Sequence, residues 1–207
     1  VNIIKSKEAA FPIVIAPFEI VGDSKENVDI AKIIRDNLNR SGQFYALSTD
    51  ALVTNQIDFN FWKEHKKDAV VFGKIEQVSP KVYNIYIYIY DVFSEKSLYQ
   101  KKITVSNSGF RRIAHFLSDK IHYVLLGQKG SFNTRLSYVT VTDNNTNDGR
   151  SYRLQISDSD GFNPQTVVRS PNPILSPAWS RDQKKLAYVS FKNNRSEVFV
   201  VTPFMKT

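Results

Sequence analysis

Ser176-Pro177-Ala178-Trp179-Ser180-Arg181-Asp182-Gln183-Lys184-Lys185-Leu186-Ala187-Tyr188-Val189-Ser190 sets the architecture of the second half of this chain. Small residues and a proline lead into Trp179, the polar run 180–184 follows, and Leu186-Ala187-Tyr188-Val189 is an apolar strand. That order predicts two short antiparallel strands joined by a tight turn, with the Trp closing one edge of the hairpin. A lone hairpin is only marginally stable in water, so such a unit works as one copy in an array. The stretch points to a binding scaffold rather than to a catalyst.

Working outward, a second copy lies upstream. Arg135-Leu136-Ser137-Tyr138-Val139-Thr140-Val141 matches Lys185-Leu186-Ala187-Tyr188-Val189-Ser190-Phe191 in the order basic, Leu, small, Tyr, Val, hydroxyl, apolar. Each copy runs through a polar loop, 144–149 or 192–195, into a further strand, 152–157 or 197–202. The offset of about fifty residues is in the range of propeller blades.

The first part of the chain has a different grammar. Ile13-Val14-Ile15-Ala16-Pro17-Phe18 reads as a buried strand with Pro17 tolerated near its end. A helix is predicted over 27–40, with Ile30, Ile33, Ile34 and Leu38 on one face and Gly42 as a left-handed stop. Phe44-Tyr45-Ala46-Leu47 resumes as a strand, and a short helix covers 60–66. Segments 69–78, 84–93 and 98–106 form an antiparallel meander. Its middle strand alternates Ile85, Ile87 and Ile89 with Tyr86, Tyr88 and Tyr90. The Ile face should meet the helices; the Tyr face is either a half-buried sheet face or a partner or base-stacking platform. A last helix, 110–126, carries a stripe of Phe110, Ile113, Ala114, Leu117, Ile121, Val124 and Leu125, and Gly127 ends it. The expected fold is an α/β amino-terminal domain, a mixed sheet with two main helices over 1–128, followed over 129–207 by all-β, incomplete β-propeller repeats.

Composition excludes several chemistries. The absence of Cys removes disulfides, thiolate metal sites and Cys nucleophiles. No apolar run approaches a membrane span, and Val1-Asn2-Ile3-Ile4-Lys5 reads as a processed or engineered start rather than a secretory leader. The net charge of +8 divides into +3 on 1–128, with 17 basic against 14 acidic residues, and +5 on 129–207, with 11 against 6. No basic run exceeds two residues, so this charge reads as solvated surface and no nucleic-acid partner is expected. Glu19-Ile20-Val21-Gly22-Asp23 offers no phosphate cradle, which argues against a nucleotide cofactor. His115 and His122 lie seven apart on one helix and His65 lies elsewhere, a spacing that does not suit a metal. Asp158-Ser159-Asp160-Gly161 resembles the start of a calcium loop but lacks the later ligands, so a polar turn is expected. Asp58 and Glu64 read as solvent-facing carboxylates, and no catalytic residue, cofactor or metal is expected.

The stretch 176–190 resembles the recurring propeller signature of the TolB family, with Arg181 where the family has Pro and Gln183 where it has Gly. Gln enters left-handed backbone at a cost, which leaves the turn geometry open while keeping the strands. Leu154-Gln155-Ile156-Ser157-Asp158-Ser159-Asp160-Gly161-Phe162-Asn163-Pro164-Gln165 is similar to the family's strand and turn before its first full blade. Pro12-Ile13-Val14-Ile15-Ala16-Pro17-Phe18, Ile33-Ile34-Arg35-Asp36-Asn37-Leu38-Asn39-Arg40-Ser41-Gly42-Gln43-Phe44 and Asp68-Ala69-Val70-Val71-Phe72-Gly73-Lys74-Ile75 follow the amino-terminal pattern of the same family.

The resemblance implies a non-enzymatic periplasmic component of the Tol–Pal envelope system, linking TolA to the lipoprotein Pal and supporting outer-membrane integrity and constriction at division. It implies that Val1, Asn2, Ile3, Ile4, Lys5 and Ser6 form the segment that binds the carboxy-terminal domain of TolA. A short β-branched peptide followed by polar residues suits strand addition to an open sheet edge, or pairing within its own domain. Pal binding is implied for the propeller. A closed propeller needs at least four blades and this chain holds barely two repeat units, so a piece of a longer protein is expected. Two other readings stay open at this stage. One is a nucleic-acid-binding module, because the family's first domain is similar to anticodon-binding domains. The other is part of a propeller-containing peptidase.

Overall fold

A computed structural model of the chain describes residues 10–22, 28–49, 53, 56–143 and 149–203. It divides into two compact units, Val1–Asn133 and Thr134–Thr207.

The first unit is built on strands β1 (Phe11–Ile15), β2 (Glu19–Val21), β3 (Phe44–Leu47), β4 (Ala69–Ser79), β5 (Val82–Asp91) and β6 (Ser97–Ser106). Its helices are α1 (Ile30–Arg40), α2 (Phe59–Glu64) and α3 (Phe110–Leu126). The sheet order is β3-β1-β4-β5-β6, parallel from β3 to β4 and antiparallel beyond, as the expected mixed sheet requires. The unforeseen element is β2. It pairs with β4 in parallel, Glu19 opposite Lys74 and Val21 opposite Glu76, continuing the line on which β1 pairs with Ala69 to Val71. Pro17, which has no N–H to donate, falls in the break between the two strands.

Helix α1 starts at Ile30, later than the expected 27, because the Asp29 side chain accepts the Lys32 N–H at 2.8 Å and caps it. Gly42 (φ 68°) and Gly127 (φ 70°) take the left-handed backbone that ends α1 and α3. Ile85, Ile87 and Ile89 are fully buried and pack with Ile34 and Leu38 of α1 and Leu117 and Ile121 of α3. A smaller core on the opposite face joins Trp62 of α2 to Val14, Val70, Phe72 and Val92. The Ile and Tyr faces of β5 therefore serve two different cores.

The second unit consists of two three-stranded antiparallel sheets. One holds β7 (Arg135–Asp143), β8 (Arg150–Asp158) and β9 (Gln165–Ser170); the other holds β10 (Ile174–Trp179), β11 (Leu186–Ser190) and β12 (Glu197–Val201). The hairpin read from 176–190 is β10 and β11, with Trp179 opposite Leu186. Its core is Leu154, Ile156, Ile174 and Leu186. Aligned on the repeat, β7 and β8 correspond to β11 and β12, so neither sheet is a complete four-stranded blade among the described residues. This is the incomplete propeller that the sequence leads one to expect.

Candidate interaction surfaces

The segment assigned to TolA binding, Val1, Asn2, Ile3, Ile4, Lys5 and Ser6, lies outside the described residues. Among the described residues, the sheet of the first unit ends at β3 on one side and at β6 on the other. Alternate residues of an edge strand aim their N–H and C=O groups away from the sheet, which makes such an edge a template for another strand. Beside β6 runs a groove of about 440 Å3 lined by Ile103, Val105, Ile113 and Phe116, with Arg112 and Asn133 also contributing. It exists because Ile103 and Val105 share the helix-facing side of β6, and α3 sets Ile113 and Phe116 opposite them.

Cations surround this groove. Lys101 on β6 and Arg112 on α3 are exposed, and Lys120 Nζ sits 5.8 Å from the centre of the Phe116 ring. The nearby carboxylate of Asp119 is engaged elsewhere, accepting the N–H groups of Phe132 at 2.8 Å and Asn133 at 3.1 Å. None of these groove residues was singled out as a site by sequence. In the sequence Arg112 belongs to a basic run of two residues, Arg111-Arg112, of the kind that reads as solvated surface, and Phe116 falls outside the apolar stripe read for α3.

The Tyr face of β5 is half-buried rather than an open platform. Tyr88 and Tyr90 stack on Phe72 at 5.0 and 5.9 Å. Tyr86 donates to Glu76 Oε2 at 3.0 Å, and Lys74 and Lys102 flank its ring at 5.8 and 5.5 Å. The Tyr86 hydroxyl is the main cause holding the Glu76 carboxyl below the ordinary range. Two of the three rings are thus engaged by the protein itself, which leaves no run of faces on which bases could stack.

Each histidine has a local partner. The Asn37 amide donates to His115 Nδ1 at 2.9 Å and lies 2.9 Å from Ser118 Oγ, while Arg40 donates to Asn37 Oδ1 at 2.8 Å. This buried polar cluster ties α1 to α3. His122 Nδ1 lies 2.8 Å from the Gln128 carbonyl, and His65 Nδ1 lies 2.7 Å from that of Phe61. Asp58 caps α2 by accepting the Phe61 N–H at 3.0 Å, and Glu64 is exposed. Residues 158–161 form the β8–β9 turn, with Gly161 at φ 82° donating to the Asp158 carbonyl at 2.9 Å.

The β10–β11 turn holds the departure noted in the sequence. Gln183 adopts φ 59°, the left-handed backbone in which the TolB signature places Gly. Its N–H donates to the Ser180 carbonyl at 2.9 Å, and Ser180 Oγ donates to Asp182 Oδ1 at 2.6 Å. The hydroxyl of Ser180, followed by the Lys184 N–H, holds the Asp182 carboxyl below its ordinary range.

Comparison with known proteins matches residues 1–98 to the TolB amino-terminal domain and residues 123–203 to the TolB beta propeller domain. The chain belongs to the TolB family. It is 54% identical over 206 residues to the Tol-Pal system protein TolB of Ruthia magnifica subsp. Calyptogena magnifica, covering 100% of this chain and 48% of that relative. It is 38% identical to the protein of the same name from Nitrosococcus oceani, covering 97% of this chain and 47% of the relative. The crystal structure of TolB from Acinetobacter baumannii superposes with a TM-score of 0.80 at 34% identity, over 93% of this chain and 47% of that one. The chain spans about half the length of the curated relatives it matches.

The TolB-like motifs acquire physical reasons in this fold. Ser41-Gly42 closes α1, with Ser41 Oγ donating to the Leu38 carbonyl at 2.6 Å. Gly73, the glycine of the third amino-terminal TolB motif, sits under the ring of Phe18. A Cβ there would lie under 3.0 Å from that ring and 2.5 Å from the Tyr86 carbonyl oxygen. Phe18 follows the break at Pro17 between β1 and β2, so the interruption of that strand line and the glycine are two halves of one packing arrangement.

Proposed function

We propose that this chain is the amino-terminal domain (1–128) and propeller opening (129–207) of a non-catalytic, periplasmic Tol–Pal component. In this reading it engages the carboxy-terminal domain of TolA through residues 1–6, and the propeller to which 129–207 belongs engages Pal. Such a protein couples inner-membrane and outer-membrane machinery during envelope maintenance and constriction. The observation that carries the reading is the 54% identity, across the whole chain, to a relative named as a Tol-Pal system protein. Two features agree with it. The first unit has the mixed sheet and helices expected of a TolB amino-terminal domain, and the second has the incomplete propeller sheets.

Calorimetric titration of the TolA carboxy-terminal domain into this chain, and into a version lacking residues 1–6, tests the assignment. Heat with the intact chain alone supports it. Equal binding by both moves the contact off the peptide, and absence of binding by either removes TolA as a partner of this part of the protein.

A further inference from the structure

We propose that the groove between β6 and α3 takes an extended peptide as an added strand, one whose apolar side chains alternate with acidic ones. Its lining residues are other than 1–6, and it does not depend on the TolA assignment. Three observations converge on it. The outer edge of β6 carries no strand among the described residues, so it offers backbone donors and acceptors in register for a peptide. The helix-facing side of that edge is the apolar groove of Ile103, Val105, Ile113 and Phe116. The surrounding charge is positive: Lys102 lies on the other face of the same strand, and Lys101 and Arg112 lie beside the groove.

Strand geometry turns these into a sequence requirement. Successive side chains of an added strand point to opposite faces of the sheet. One set enters the groove and loses apolar surface to water. The other set lies on the face of Lys102, where cross-strand pairing favours a carboxylate. On the Lys102 face the resident carboxylate is Glu76, which already accepts from the Tyr86 hydroxyl at 3.0 Å, and among the described residues Arg112 takes part in no ion pair and no carboxylate lines the groove. A phosphodiester chain cannot satisfy alternating backbone donors and acceptors, which is why a peptide is the occupant argued here.

The test uses a short fluorescent peptide of alternating valine and glutamate, titrated into the full chain by anisotropy and followed by amide NMR. Saturable binding that shifts the amides of 97–106 and of Arg112 and Phe116 is expected. Reversing Lys102 and Arg112 together (Lys102→Glu, Arg112→Glu) should weaken it about tenfold, near 1.4 kcal/mol. Both side chains are exposed, so the fold survives, which circular dichroism checks. The same peptide with alternate amides N-methylated should not bind, because the added ladder is lost while the protein is untouched. Equal binding of a valine–lysine peptide, equal binding of the N-methylated peptide, or shifts confined to other elements would each overturn the proposal. Displacement of the peptide by an oligonucleotide at the same residues, or self-association of the chain abolished by the double reversal, would overturn it in favour of those occupants.

Discussion

Replacing Gly73 by Ala is the sharpest perturbation available in the first unit. The new methyl would lie under 3.0 Å from the Phe18 ring and 2.5 Å from the Tyr86 carbonyl oxygen, so something must move. The Tyr86 backbone belongs to β5, bonded to β4 on one side and to β6 on the other, and cannot retreat without opening a ladder. Phe18, at 8% exposure, must turn out instead. Overpacking costs about 1–3 kcal/mol, and a displaced phenyl ring forfeits burial worth about 1.5–3 kcal/mol. Because the movement of the ring relieves part of the clash, the two do not simply add, and a loss of about 3 kcal/mol is expected. Urea unfolding reads this through Trp62, which is buried in the neighbouring core, in a Trp179→Phe background that silences the second unit. Phe18→Ala alone should cost about 3 kcal/mol. The double variant should be about 1–2 kcal/mol better than the sum, since one of the two obstacles has gone. A Gly73→Ala protein within about 0.5 kcal/mol of the parent, or a strictly additive cycle, would refute the packing argument.

Three further outcomes follow from the same physics. Gln183→Gly should stabilise the second unit by about 0.5–1 kcal/mol, because Gly adopts φ 59° without strain; unchanged hydrogen exchange across 176–190 would contradict this. Asn37→Ala should cost about 2 kcal/mol, because His115 and Ser118 lose a buried partner; an unfolding midpoint equal to the parent's would show that the cluster is not a stabilising one. The third concerns two carboxyls. The Ser94 N–H holds Asp91 below the ordinary range, so its contribution is present above the unfolded value and is lost as pH falls through the lowered folded value. Burial first and the Asp91 charge second raise Asp68, so its contribution is present below the unfolded value and is lost as pH rises through the raised folded value. Carboxyl NMR titration should therefore show Asp91→Asn bringing Asp68 part of the way back down, and an unmoved Asp68 would disprove the coupling.

What the sequence discloses is what local pattern controls. The Ile–Tyr alternation of β5 and the stripe of α3 each put a period on one face, and burial follows that period, whereas the repeat at 135–141 and 185–191 marks two strands of unequal burial, with Leu136 exposed where Leu186 is buried. The two strands left unread have no period of their own. Glu19–Val21 is three residues between Pro17 and Gly22, and it is a strand because β4 runs on past the end of β1 and offers Lys74 to Glu76 as partners. Gln165–Ser170 has no reading as a strand in the sequence and becomes one by pairing with β8. The β6–α3 groove is hidden for a similar reason. It needs Ile103 and Val105 to meet Ile113 and Phe116 across a chain reversal, whereas each looks like ordinary core in its own element.

Gln183 shows the limit from the other side. Its identity correctly signals a penalty for left-handed backbone, yet the backbone goes there. The turn is fixed by bonds on both flanks of Gln183: Ser180 N–H to the Lys185 carbonyl at 2.9 Å, Lys185 N–H to Ser180 Oγ at 2.9 Å, and Lys184 N–H to Asp182 Oδ1 at 3.1 Å. A single unfavourable φ costs about 1–2 kcal/mol, whereas abandoning the turn would forfeit these bonds and the register that sets Trp179 opposite Leu186. The residue preference is therefore legible in the sequence and is overruled by the strands on either side. That is the physical reason the hairpin could be read correctly while its central residue looked wrong.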